Sequence, residues 1–356
     1  MNFNSPVFKP LRILLFPFSL IYGLIVWLRN RMYDNKIFRS ANFDKPIICV
    51  GNLSAGGTGK SPMVEYLVKL LDGKTKPAII SRGYRRKTRG YVIATKDSTA
   101  QDIGDEPMQF HIKFPEIAIA VGEQRKVAIP ELLNDRPDTG VIILDDAFQH
   151  RSVDAGLNIL LTDHNHLFTR DWFLPTGNLR DEKRSCQRAQ IIIVTKCRSD
   201  LSEQEKNSLK SEISPRSSQH VFFTETIYGQ PYHLLNANTT SLSKMVEVLL
   251  VTGIANPEPL KNYLAGAAGA CHELIYNDHH MFSNDDLKEI SNRFNKIVSQ
   301  HKLIITTEKD AARLLKFTEH LKELPIYAVP IQSRFLFNGG NQFNNIITTF
   351  IGEFGK

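Results

Sequence analysis

Four clusters of polar residues in this chain have the types and spacings that phosphate chemistry requires. The first, Gly51-Asn52-Leu53-Ser54-Ala55-Gly56-Gly57-Thr58-Gly59-Lys60-Ser61, follows the apolar run Ile47 to Val50 and precedes the helical spacing of Val64 to Leu71. Strand, glycine loop and helix in that order make a phosphate cradle. Backbone N–H groups from Ser54, Ala55, Gly56, Gly57, Thr58 and Gly59 turn inward around phosphate oxygens, and the helix N-terminus adds partial positive charge. Lys60 reaches the β- and γ-phosphates, and Ser61 offers a hydroxyl to Mg²⁺. The loop is a variant, because Ser54 stands where such loops usually begin with glycine and Gly56-Gly57 carry the flexibility instead.

The second cluster ends an apolar strand, Val141-Ile142-Ile143-Leu144-Asp145-Asp146. Two acids at the carboxyl edge of a parallel sheet need a cation or a proton, and a magnesium-bound nucleotide supplies the first; Asp146 as a turn residue is the plainer alternative. Gly104-Asp105-Glu106-Pro107 is the third, placed before a helical pattern. An acid there can take the proton of an attacking hydroxyl, although N-capping by Asp105 accounts for the same residues without catalysis. Asn277-Asp278-His279-His280 is the fourth, with an imidazole able to orient a carboxylate base across an interdomain cleft, or else a surface turn.

These clusters need a scaffold that brings strand ends together. Short apolar runs at Pro46 to Val50, Ala78 to Ser81, Ile117 to Val121, Val141 to Leu144, Leu157 to Leu161 and Gln190 to Thr195 alternate with helical patterns. That rhythm predicts a P-loop-containing α/β/α domain on a parallel sheet. After Val221 to Ile227 comes a polar, turn-prone stretch, Tyr228 to Ser243, and then a second α/β set with strands near Val246 to Thr252 and Lys302 to Thr307. The expected division is an N-terminal anchor and basic flank over 1–44, a nucleotide-binding domain over 45–235, and a smaller α/β domain over 236–356 that closes the cleft.

With 356 residues the chain is long enough for two cores, and its net charge of +7 suits anionic lipid, nucleic acid or phosphorylated substrates. No aromatic-interleaved basic patch supports nucleic acid. Cys49, Cys186, Cys197 and Cys271 are scattered, which argues for a reducing compartment without disulfides or structural zinc. Ile13 to Leu28 is nearly all apolar and bracketed by Lys9, Arg12, Arg29 and Arg31. As a helix it reaches about 24 Å, short of the roughly 30 Å hydrocarbon core, so a tilted anchor competes with a clean span. The excess of basic residues after it (Arg29, Arg31, Lys36, Arg39) keeps the main body in the cytoplasm by the positive-inside rule.

Taken in order, these features resemble the tetraacyldisaccharide 4′-kinase family, the membrane-associated lipid A 4′-kinases of Gram-negative bacteria. The resemblance rests on the apolar N-terminal helix, Gly51 to Pro62, Ser81-Arg82-Gly83-Tyr84, Gly104-Asp105-Glu106-Pro107, Asp145-Asp146-Ala147-Phe148-Gln149-His150, Gly253-Ile254-Ala255-Asn256-Pro257, Asp278-His279-His280 and Thr307-Glu308-Lys309-Asp310. It implies transfer of the ATP γ-phosphate to the 4′-hydroxyl of a tetraacylated disaccharide 1-phosphate in lipopolysaccharide biosynthesis. The site would lie at the cytoplasmic face of the inner membrane, with Mg²⁺ and no obligate protein partner. It also implies a catalytic dyad of Asp105 and His279, with Lys60 on the phosphates, Ser61, Asp145 and Asp146 serving the magnesium nucleotide, and Tyr84, Glu106, Arg125 and Gln149 as further active-site contacts. Ser61 replaces the family's commoner Thr, Ala147 replaces a Gly, and Leu174 to Arg180 resembles a family segment for which the residues suggest no role.

The rival from another class is a P-loop GTPase or metallochaperone-like switch acting on a protein partner. Its guanine signature is missing, since Thr195-Lys196-Cys197-Arg198 lacks the Asn before Lys196 and the Asp two places after it.

Overall fold

The computed structural model describes residues 9–355. The chain forms two compact units. One holds the residues up to Arg82, Ile117–Thr226 and Ser333 onward; the other holds Gly83–Glu116 and Ile227–Gln332.

At the centre of the first unit is a run of parallel strands in the spatial order His220–Tyr228, Ile191–Thr195, Leu157–Asp163, Ile47–Asn52, Val141–Asp145, Pro77–Ser81, Ala118–Val121. Every residue of Ile47–Asn52, Pro77–Ser81, Val141–Asp145 and Ile191–Thr195 is buried. Burial on both faces is why these strands read in sequence as continuous apolar runs rather than alternating ones. Val50 pairs with Asp145. The register therefore sets the acid pair beside the residues that open the glycine loop, at the carboxyl edge where open α/β sheets bind ligands.

The second unit has a smaller sheet, ordered Ala270–Ile275, Glu247–Thr252, Lys302–Thr307, Ile326–Val329, Tyr232–His233, parallel except for the last pair. Alternate residues of the strand Glu247–Thr252 face opposite cores: Leu249 and Val251 join Phe282, Leu287 and Ile304, while Val248 and Leu250 join Leu260, Leu264 and Ile305.

These units correct the expected division at 45–235 and 236–356. The segment 83–116, inserted between neighbouring strands of the large sheet, contributes its helix Asp105–Lys113 to the second unit, where Lys113 pairs with Glu308 at 2.6 Å. The C-terminal helix Gly339–Glu353 returns to the first unit, burying Phe343 and Ile347 and accepting the Tyr66 hydroxyl at Asn344. An amphipathic pattern shows that a helix buries one face; it does not say against which sheet.

The helix Phe16–Asp34 departs further from expectation. Among the described residues no helix is long and apolar enough to cross a membrane. Its buried face consists of small or polar residues, Ser19, Gly23 and Asn30, with Val26, at helical spacing, whereas Phe18, Leu20, Ile21, Leu24, Ile25 and Leu28 are exposed. Ser19 donates to the Phe173 carbonyl at 3.0 Å, and Asn30 donates to Asp181 at 2.7 Å. A Cβ on Gly23 would stand 2.9 Å from the Phe173 ring. Two members of the expected basic flank are committed to the protein, Arg12 to the carbonyls of Pro175 and Gly177 and Arg29 to that of Gln149. The side chain of Lys9 lies outside the described residues.

Candidate active site

In the first unit, the strand Ile47–Asn52 delivers the chain into the glycine loop, and the helix Lys60–Leu71 starts directly after Gly59. Gly59 (φ 80°) and Gly56 (φ 116°) occupy left-handed backbone that only glycine adopts at little cost. Ser54 does not. It forms an antiparallel bridge with Leu179, flanked by Ala55 N–H donating to the Asn178 carbonyl and Arg180 N–H donating to the Leu53 carbonyl, both at 2.7 Å. Extended backbone accepts any side chain, which is why a serine stands where the usual loop has glycine. Asn52 and Thr195 brace the loop from below: Asn52 Nδ2 donates to Thr58 Oγ1 and Thr195 Oγ1 donates to the Thr58 carbonyl, each at 2.9 Å. Ala55, Gly56 and Gly57 are left exposed, and the amides of Gly56 and Gly57 are the ones turned to an anion rather than to the strap.

Asp145 ends its strand fully buried, with Ser81 donating to Oδ2 at 3.0 Å. Asp146 turns away in left-handed backbone (φ 47°) and faces two cations. Lys60 Nζ lies 3.7 Å from its Oδ1, and Arg180 grips both carboxylate oxygens at 2.7 and 3.2 Å while also donating to Asn52 Oδ1. Burial by itself would raise the Asp146 pKa, but Lys60, then Arg180 and Arg125, outweigh it and hold the carboxyl at about 2. The turn that follows is packed against the loop strand: a Cβ on Gly51 would come within 2.6 Å of Phe148 Cβ.

Two expected contacts are engaged by the scaffold. Arg125 is fully buried, donates to the Gly122 carbonyl and, at 3.2 Å, to that of Asp145, and burial draws its pKa down to about 10. Gln149 Nε2 donates to the Asn52 carbonyl at 2.6 Å. Both fix strand ends behind the loop. In this unit, Arg180 is the residue that sequence reasoning passed over. Its only signal was the segment Leu174 to Arg180, whose backbone proves to be the strap under the phosphate loop.

In the second unit, Gly104 (φ 97°) packs against Gly83, where a Cβ would meet the Gly83 Cα at 3.1 Å, and the helix Asp105–Lys113 begins there. Asp105 makes no capping bond. Its Oδ2 instead receives Arg313 Nη2 at 2.6 Å and lies 3.0 Å from His279 Nδ1, which removes N-capping as the explanation of this acid. His279 sits in left-handed backbone (φ 61°) with its N–H donating to the Gly253 carbonyl at 3.0 Å. Burial pushes the Asp105 pKa up, yet hydrogen bonds from His279 and Arg313, with the Arg313 charge, bring it to about 2. Lys309 pairs with Glu106 at 2.6 Å, and the exposed Tyr84 ring stands edge-on to His279 with centroids 6.3 Å apart.

Comparison with known proteins assigns the chain to a family. The family model for tetraacyldisaccharide-1-P 4′-kinase matches residues 11–351. The chain belongs to that family. This kinase is 43% identical over 354 residues to the tetraacyldisaccharide 4′-kinase of Bacteroides thetaiotaomicron, covering 95% of this chain and 93% of that one. It is 44% identical over 348 residues to that of Flavobacterium johnsoniae, covering 96% and 98%. Its fold matches the crystal structure of the "apo" form of LpxK from Aquifex aeolicus in complex with ATP, with a TM-score of 0.76 and 25% identity over 96% of this chain and 99% of that one. Nothing supports the rival switch, and Lys196, the one residue the kinase shares with a guanine-reading motif, is tied to Asp163 at 2.8 Å.

Proposed function

We propose that this kinase transfers the γ-phosphate of ATP to the 4′-hydroxyl of a tetraacylated glucosamine disaccharide 1-phosphate, a lipid A precursor, at the cytoplasmic face of the inner membrane. The observation that carries the reading is the 3.0 Å approach of Asp105 Oδ2 and His279 Nδ1, an acid and an imidazole 174 residues apart in a chain that also holds a phosphate loop. The loop amides and Lys60 bind and neutralise the phosphates. The dyad takes the proton of the acceptor hydroxyl, whose oxygen bonds to the γ-phosphorus as the bond to the ADP oxygen breaks.

The donor set fits Mg²⁺. Ser61 Oγ at the helix start and the carboxylates of Asp145 and Asp146 are hard oxygen ligands, and among the described residues no cluster of three His, Cys, Asp or Glu forms a protein-only cage. Magnesium in nucleotide sites is held in this way, by a hydroxyl, one or two carboxylates and the phosphates themselves. Bound there, it would offset charge on the transferring phosphoryl group. Positive partners holding Asp146 as an anion keep it ready as a ligand.

The acyl chains of the acceptor favour catalysis at a lipid surface, and the exposed apolar face of the helix Phe16–Asp34 is suited to lie in one. The decisive experiment follows γ-³²P transfer from ATP to a tetraacyl disaccharide 1-phosphate in mixed micelles, for wild type, Lys60→Ala and Asp105→Ala. Labelled lipid, lost in both variants, is the expected result. ATP hydrolysis without labelled lipid overturns the proposal.

A further inference from the structure

We infer, resting on the ATP site proposed above, that the buried side of the helix Phe16–Asp34 is a strut of the phosphate loop. Tyr22 and Arg29 are its positioning residues, and through them the helix sets the affinity for ATP with or without a lipid surface.

The loop enters its turn along a segment that the large sheet does not hold. Beyond Asn52 the chain leaves its strand, and Leu53 to Ala55 are paired with the strap, through Arg180 N–H on the Leu53 carbonyl and Ala55 N–H on the Asn178 carbonyl. The strap itself belongs to neither sheet. It closes on itself through Leu179 N–H to the Trp172 carbonyl (2.8 Å) and Gly177 N–H to the Phe173 carbonyl (2.9 Å), and the helix holds it from outside. Ser19 accepts from the Thr176 N–H at 3.0 Å, the Tyr22 hydroxyl donates to the Arg180 carbonyl at 3.1 Å, and Asn30 Nδ2 donates to the carboxylates of Asp181 and Glu182 at 2.7 and 2.9 Å. Tyr22 thus holds the backbone of the same arginine whose guanidinium grips Asp146.

A second connection bypasses the strap. Arg29 Nη2 donates to the Gln149 carbonyl at 2.6 Å, and Gln149 Nε2 donates to the Asn52 carbonyl at 2.6 Å. Both routes meet at Asn52, which is fully buried. Its carbonyl accepts from Gln149, its Oδ1 from Arg180, and its Nδ2 donates into the loop at Thr58 Oγ1.

The consequence concerns binding rather than chemistry. Amides of Gly56 and Gly57 meet phosphate oxygens only in one loop geometry, and a loop left loose must be ordered when ATP arrives, which weakens binding. The helix supplies that order from its buried side while Leu20, Ile21, Leu24 and Ile25 point outward. A helix that only anchored would have no use for buried polar side chains, which cost free energy unless paired; Ser19 and Asn30 are both buried, and both are paired with the strap.

The test measures the dissociation constant of N-methylanthraniloyl-ATP, by its fluorescence, on the full chain in detergent micelles without acceptor lipid. Arg29→Met is expected to raise it about tenfold and Tyr22→Phe about threefold, as loss of a charge-assisted and of a neutral hydrogen bond would. Arg29→Lys should restore most of the first loss. Leu24→Lys, on the outward face, should leave the constant unchanged, and in kinetics KM for ATP should follow it while KM for the acceptor stays put. Tyr22→Phe removes a single oxygen, so it remains informative even should Arg29→Met not fold. Unchanged nucleotide affinity in both variants, with only a lower melting temperature, would overturn the inference and leave the helix a structural part; so would an equal loss in Leu24→Lys, which would mean general loosening. Wild type that fails to bind the nucleotide would sink the ATP site itself, a separate outcome.

Discussion

Asp105 couples catalysis to stability in a way that acid can read. Its carboxyl is held at about 2 against an ordinary 3.8, with a side chain only 15% exposed. A depressed folded pKa means stability that is present above the unfolded value and lost as pH falls from 3.8 through 2. At 1.36 kcal/mol per unit, the gain is about 2.4 kcal/mol at pH 7, and integrating the two titrations leaves about 1.3 kcal/mol at pH 3. Asp105→Asn keeps the shape and an acceptor oxygen but removes the charge. Wild type should therefore exceed the variant by about 2 kcal/mol at pH 7, and the gap should narrow by roughly half at pH 3. The chain's two tryptophans, Trp27 and Trp172, both belong to the first unit, so their fluorescence does not follow the unit that holds Asp105. Hydrogen exchange of the buried strand Glu247–Thr252 does. A gap that stays constant from pH 7 to pH 3 would refute the claim that the ionised carboxylate, rather than its packing, stabilises the network.

Arg180→Met should raise KM for ATP about tenfold or more, since charge-assisted bonds contribute about 1.5–3 kcal/mol each and Asp146 would then draw Lys60 away from the phosphates; initial rates against ATP concentration check it, and Arg180→Lys should not restore a two-pronged grip. Leu24→Lys, at a position 63% exposed, should weaken sedimentation with phospholipid vesicles about tenfold while leaving the melting temperature unchanged. Burial pushes the Cys49 and Cys197 thiols up to about 12, so a thiol reagent at pH 8 should modify Cys186 and Cys271 and reach the other two only on unfolding, as mass spectrometry of labelled peptides would show.

Local order carried most of what could be learned from the residues alone. Ile47 to Val50 and Val141 to Leu144 read as strands because full burial leaves them no polar face, and Gly56 to Ser61 declares its phosphate chemistry because the amides, the lysine and the hydroxyl all come from one short segment. Asp105 and His279 are different. Each by itself is equally well a cap or a turn residue, and only the family resemblance joined them before the fold set their side chains 3.0 Å apart. Arg180 and Arg313 were silent for the same reason: an arginine's role depends on which acid it meets, and their partners Asp146 and Asp105 lie 34 and 208 residues away. The helix at Phe16–Asp34 was legible as apolar, but its exposed side was not, since that depends on the strap at Phe173 to Glu182 against which Ser19, Gly23 and Asn30 pack. What the sequence by itself determined were the strands, the phosphate loop and the family. What the tertiary structure decided was the second unit's claim on residues 83–116, the strap beneath the loop and the charge network around Asp105, because each depends on side chains that meet only when distant segments pack together.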